Sequence, residues 1–138
     1  MRIKQLLALM AGIALAFGGI ACGGPDEVGL RDSFAAQLAA NKFLRDVQRN
    51  GDEVTFTGAG ADGGTAKWRV HIDSSSIEPN DDEAKPYKGT IKSSWYSDGK
   101  IVQPSGSESH LPIELMANGL SQVCWAFWDK AAKRWEWE

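Results

Sequence analysis

Residues 66 to 72 set the tightest limit on the fold, because Ala66, Trp68, Val70 and Ile72 alternate there with Lys67, Arg69 and His71. Successive side chains of a strand point to opposite faces, so this run predicts a strand with one apolar and one polar side. Such a strand belongs in an antiparallel sheet that is covered on one face only. The same period governs most of the chain after Gly51. Val54 and Phe56 alternate with Thr55 and Thr57, and Tyr87, Gly89, Ile91, Ser93 and Trp95 alternate with Lys88, Thr90, Lys92 and Ser94. Asp98-Gly99 predicts a type I′ turn, which sets Trp95 opposite Val102 and Tyr96 opposite Ile101. A last hairpin is expected from Val123–Trp128 through 129–133 and back along Arg134–Trp137. If Val123, Trp125 and Phe127 face the core in that hairpin, Trp128 faces solvent.

Ahead of the alternating region the period is helical. The stretch Arg31 to Asn50 is Ala-rich and free of Pro, with Asp32 or Ser33 placed to cap its start and Asn50-Gly51 to end it. At 100° per residue, Ala36, Ala40, Phe43, Leu44 and Val47 form one stripe, the expected core face. Phe34 and Leu38 fall almost opposite. They would be covered by the last segment of the chain or form a docking patch.

The resulting fold class is α+β: one N-terminal helix packed on an antiparallel, meander-type sheet of four to six strands. This element order resembles the cystatin-like and NTF2-like architectures of small secreted bacterial proteins. Fold alone carries no function.

The first 22 residues follow a different logic. Arg2 and Lys4 precede an uncharged run that ends on Cys22, and its apolar part, Leu6 to Ile20, is short for a transmembrane helix, which needs about 20 residues. Gly19-Ile20-Ala21-Cys22 resembles the lipobox of bacterial lipoproteins. That resemblance implies a signal peptide over 1–21, diacylglycerol on the Cys22 thiol and a cell-envelope location, with the membrane as partner. Residues 22–29 then form a short linker and 30–138 a single domain. The small-x-small pattern of Gly19 and Ala21 also fits an ordinary secretory cut. In that case Cys22 and Cys124, the chain's two cysteines, could pair as a disulfide. If Cys22 is acylated, Cys124 is left as a small buried residue.

Removing Arg2 and Lys4 from the 15 Lys and Arg leaves 13 against 18 Asp and Glu, a net charge of −5. No basic field recruits nucleic acid. Gly58-Ala59-Gly60-Ala61-Asp62-Gly63 spells a dinucleotide-type loop, but a strand follows where the phosphate-binding helix should begin. Glu78, Asp81, Asp82 and Glu83 lack the turn glycine of a calcium loop and form a solvated acidic loop. His71 and His110 sit in no metal-ligand spacing, so no metal and no cofactor is expected. No nucleophile elbow occurs, and no catalytic residues are assigned.

What remains is the polar side of the sheet. Lys67, Arg69 and His71 share one face of a strand, and Lys88 and Lys92 share one face of another. If the strands are neighbours, a cationic stripe forms. Exposed aromatics beside charge mark interfaces and sugar platforms, and Trp128, Tyr96 and Trp137 are the candidates. The favoured reading is a non-enzymatic binding or scaffolding module, whose partner is an acidic envelope protein, an anionic glycan or lipid headgroups. The alternative is an NTF2-like pocket or enzyme, with His71, His110 or Glu114 pointing inward.

Overall fold

A computed structural model describes residues 24–60, 63–102 and 122–138. Helix α1 (Glu27–Ala40) is followed by strands β1 (Arg45–Asn50), β2 (Glu53–Ala59), β3 (Thr65–Pro79), β4 (Tyr87–Ser97), β5 (Lys100–Ile101), β6 (Val123–Asp129) and β7 (Arg134–Trp137). All strand pairings are antiparallel, in the order β1-β2-β3-β4-β6-β7. β5 shares an edge of β4 with β6, pairing through Tyr96↔Ile101 and Ser97↔Lys100. The helix on an antiparallel meander is as expected; the sheet has seven strands rather than four to six.

The helix differs from the sequence reading at both ends. It is capped by Asp26, whose Oδ1 accepts the Gly29 N–H at 2.8 Å, so it begins within the span assigned to the linker. It ends at Asn41, which leaves helical geometry at ψ 116°, and the Asn41 side chain accepts the Phe43 N–H in a local turn. Residues 45–50 are therefore strand β1, not helix. The core stripe is Leu30, Phe34 and Leu38, each 0 % exposed, while Phe43 is exposed and Ala40 lies at the surface. Starting the helix at Asp32 leaves Leu30 out, and without it Phe34 and Leu38 look like a stray pair. With it, they form an i, i+4, i+8 row whose apolar area far exceeds that of the alanine stripe, and burial scales with area.

The row packs onto a sheet that makes room for it. A Cβ on Gly89 would lie 2.7 Å from Leu30 Cδ1 and 3.1 Å from Trp135 Cζ3, so the helix approaches β4 where β4 has no side chain. Beside Gly89 stands Ala126, and beside Ile91 stands Cys124. That register fixes the phase of β6: Cys124, Ala126 and Trp128 point inward, and Val123 and Trp125 point out. This inverts the expected phase. Trp128 is buried against Trp135, ring centroids 5.4 Å apart, whereas the small Cys124 and Ala126 occupy ground where a tryptophan could not fit. Trp137 likewise turns inward, onto Phe34 at 5.8 Å, and its Nε1–H donates to Ser33 Oγ.

The other half of the core is aromatic. Phe56, Trp68 and Trp95 form a triangle with centroid separations of 6.1–6.2 Å, the Trp68 ring stacked on Phe56 and Trp95 edge-on to both. The alternations in β2, β3 and β4 stand as read, with Val54, Ala66, Val70, Ile72 and Ile91 buried. The Asp98-Gly99 turn has φ of 49° and 84°, the two positive values of a type I′ turn, and the Val102 N–H donates to the Trp95 carbonyl. β2 pairs antiparallel with β3, so a strand stands in place of the helix that a dinucleotide loop requires.

Candidate functional site

Helix α1 covers one face of the sheet, and the polar candidates among the described residues lie on the other. The registers arrange that outer face in rows. Thr57 pairs with Lys67; Gln48, Thr55, Arg69 and Tyr96 lie abreast; Glu53, His71 and Ser94 follow. A β-bulge at Asp73 then shifts the parity of β3, because Ile72 pairs with Ser93 but Ser74 with Lys92. Beyond it the rows are Ser74, Lys92 and Val123; Ser76, Thr90 and Trp125; and Glu78, Lys88, Phe127 and Glu136. Lys67, Arg69, His71, Lys92 and Lys88 thus run down one sheet face as a band along β3 and β4. They do not form a compact cluster.

Electrostatics divide this band. Arg69 donates to Glu53 Oε2 at 3.1 Å and its guanidinium carbon sits 3.9 Å from the Tyr96 ring centre, so both Arg69 and Tyr96 are committed to contacts within the face. His71 Nδ1 lies 3.1 Å from Asp73 Oδ1, and Ser94 Oγ donates to the other carboxylate oxygen at 2.6 Å. The bulge is what turns that carboxylate toward both. His71 therefore faces outward, and the helix side of the sheet is filled by Leu30, Phe34 and Leu38 against Val70, Ile91 and Trp135. Among the described residues neither Lys67 nor Lys92 has a carboxylate within ion-pair distance of its ammonium. Lys88 lies over the Trp125 ring, 5.1 Å from its centre.

An open groove of about 480 Å³ lies at the β1 end of the face, lined by Gln48, Thr55, Thr57, Lys67, Arg69 and Asp98. Asp98 holds its rim, accepting the Lys67 N–H and donating its own N–H to the Lys67 carbonyl. Asp46, Phe56, Trp68 and Gly99 complete its lining, so apolar surface outweighs polar in it. At the opposite end, Asp129 closes the β6–β7 turn. Its carboxyl is held below the ordinary carboxylate value, first by the Ala132 N–H and then by the Ala131 N–H, Glu136 and Lys85. Among the described residues no three His, Cys, Asp or Glu side chains gather as metal ligands.

Of the sequence candidates, Lys67, Arg69, His71, Lys88, Lys92 and Tyr96 share the outer face. Trp128 does not, being buried at 7 % exposure on the inner side. Its place on the surface is taken by Trp125, 45 % exposed, with Val123 at 43 % and Phe127 half-buried along the same strand. The sequence held one signal for this exchange: Cys124 and Ala126, the small members of the alternation, suit a strand that a helix crosses closely. Cys22, His110 and Glu114 lie outside the described residues. Cys124 is buried.

No protein-family model, curated protein or solved structure matches this chain.

Proposed function

We propose that this chain is a bacterial envelope lipoprotein, held to the membrane through an acylated Cys22, that works without catalysis as a binding or scaffolding module. Its contact surface is the outer sheet face, and the observation that carries the reading is the exposed Trp125 beside Lys88 and Lys92. Large exposed aromatics flanked by unneutralised cations favour an interface, because the ring supplies apolar contact area at little entropic cost and the charges orient the partner. The polar groups of the face are held mainly by one another: His71 by Asp73, and Arg69 by Glu53 and Tyr96.

From Cys22 to the cap at Asp26 the chain has four residues to span, a reach of about 14 Å at about 3.5 Å each. An acyl anchor there keeps the domain at the bilayer surface. Two measurements test the proposal. Intact mass of the native protein is expected to show diacylglycerol on Cys22, and Cys22→Ser to release the protein from the membrane fraction. Affinity capture from envelope extracts is expected to lose partners when Trp125, Lys67 and Lys92 are replaced together by Ala. Equal recovery of every partner by wild type and variant rejects the surface.

A further inference from the structure

The outer end of β6 is more specific than a patch. Val123, Trp125 and Phe127 form a straight apolar row, repeating about every 6.8 Å at the rise of an antiparallel strand. On the neighbouring strand β4, Lys92 stands opposite Val123 and Lys88 opposite Phe127, with Thr90 opposite Trp125 between them. The lysines are therefore about 14 Å apart along the strand, one at each end of the row. Neither has a carboxylate within ion-pair distance among the described residues: Glu78 stands opposite Lys88 on β3 without closing on it, and Glu136, across Phe127, is engaged by Lys85 at 3.1 Å and Arg134 at 3.6 Å. Both ammonium groups are left without a close ion pair in a chain whose balance from Cys22 onward is −5.

We infer that the partner on this surface is an extended protein segment carrying acidic and apolar side chains, which lays its apolar groups on Val123, Trp125 and Phe127 and its carboxylates on Lys88 and Lys92. This rests on the sheet-surface reading above and names its partner. The spacing carries the extended form, since a peptide strand repeats its side chains at the same interval as the row beneath it. Charge complementarity carries the acid. Three apolar side chains in line suit a peptide better than a sugar, which needs one ring face and many hydroxyl partners.

The probe is a short fluorescein-labelled peptide in which Glu alternates with Leu, titrated with the soluble domain at low and high salt and followed by anisotropy. A peptide alternating Lys with Leu, heparin, and phosphatidylglycerol vesicles serve as the other arms. The inference expects saturable binding of the acidic peptide, weakened by salt and reduced roughly tenfold or more by Trp125→Ser and by the double change Lys88→Glu, Lys92→Glu. These side chains are exposed or half-exposed, and unchanged thermal unfolding confirms that each variant is folded. No binding of the acidic peptide, equal binding of both peptides, or binding unaffected by either variant overturns it. So does binding of heparin or vesicles through Trp125 in place of the peptide. If the acidic peptide fails while capture of native partners still depends on Trp125, the partner chemistry falls and the surface stands; if neither depends on Trp125, both fall.

Discussion

The chain's six tryptophans share a residue type and little else, and their indole N–H groups separate the buried ones. Trp68 donates to the Ala59 carbonyl at 2.9 Å, Trp95 to Ser93 Oγ at 2.9 Å and Trp137 to Ser33 Oγ at 2.8 Å. Trp135 Nε1 is buried and meets no acceptor among the described residues. A buried donor without a partner costs desolvation, whereas a satisfied one contributes about 1 kcal/mol. Trp68→Phe is therefore expected to lose about 1 kcal/mol more stability than Trp135→Phe, both measured by urea denaturation. Equal losses would mean that the Trp68 hydrogen bond contributes nothing. Which tryptophans lie inside was legible for Trp68 and Trp95, because each sits in a long alternation with a single consistent phase. It was not legible for Trp125 and Trp128, where six consecutive apolar residues, Val123 to Trp128, fit either phase.

At the scale of elements, the contact that sets the phase of β6 is Leu30 of α1 over Gly89 of β4. Filling that space forces the helix away from the sheet. Gly89→Val is expected to destabilise by about 1–3 kcal/mol, and by more if the helix cannot shift. Leu30→Ala in the same background should recover part of the loss, since it removes the atoms that Val strikes. A loss that Leu30→Ala does not relieve would show that the strain lies elsewhere. The helix itself was only half visible in sequence. Its helical period is clear in the sequence, whereas the cap at Asp26 and the end at Asn41 are not. Asn41 ends the helix by bonding its own turn, and the pairing Arg49↔Val54, Asn50↔Glu53 then claims the next segment for the sheet. The first contact is local, and the second holds because β2 is itself paired to β3 through Val54↔Val70 and Glu53↔His71.

For the whole molecule, the two faces of the sheet divide stability from recognition. Phe34 is fully buried between helix and sheet, and Phe34→Ala is expected to cost about 3–5 kcal/mol. Trp125→Ser, a larger truncation on the outer face, should stay within about 1 kcal/mol of wild type, because its ring is 45 % exposed. Comparable losses from the two would place Trp125 in the core and remove it as a contact residue. The amino-acid sequence by itself determined the antiparallel sheet, its one-sided burial, the Asp98-Gly99 hairpin and the cationic side of β3, since each follows from the alternation of neighbours along the chain. It also carries the Cys22 leader, on which the anchoring proposal rests. Tertiary structure alone decided where the bulge at Asp73 shifts parity, which face of α1 meets the sheet and which tryptophan of β6 reaches solvent. Those depend on register, and register is set by where a helix finds room: here above Gly89, Ala126 and Cys124, where the sheet has almost no side chains.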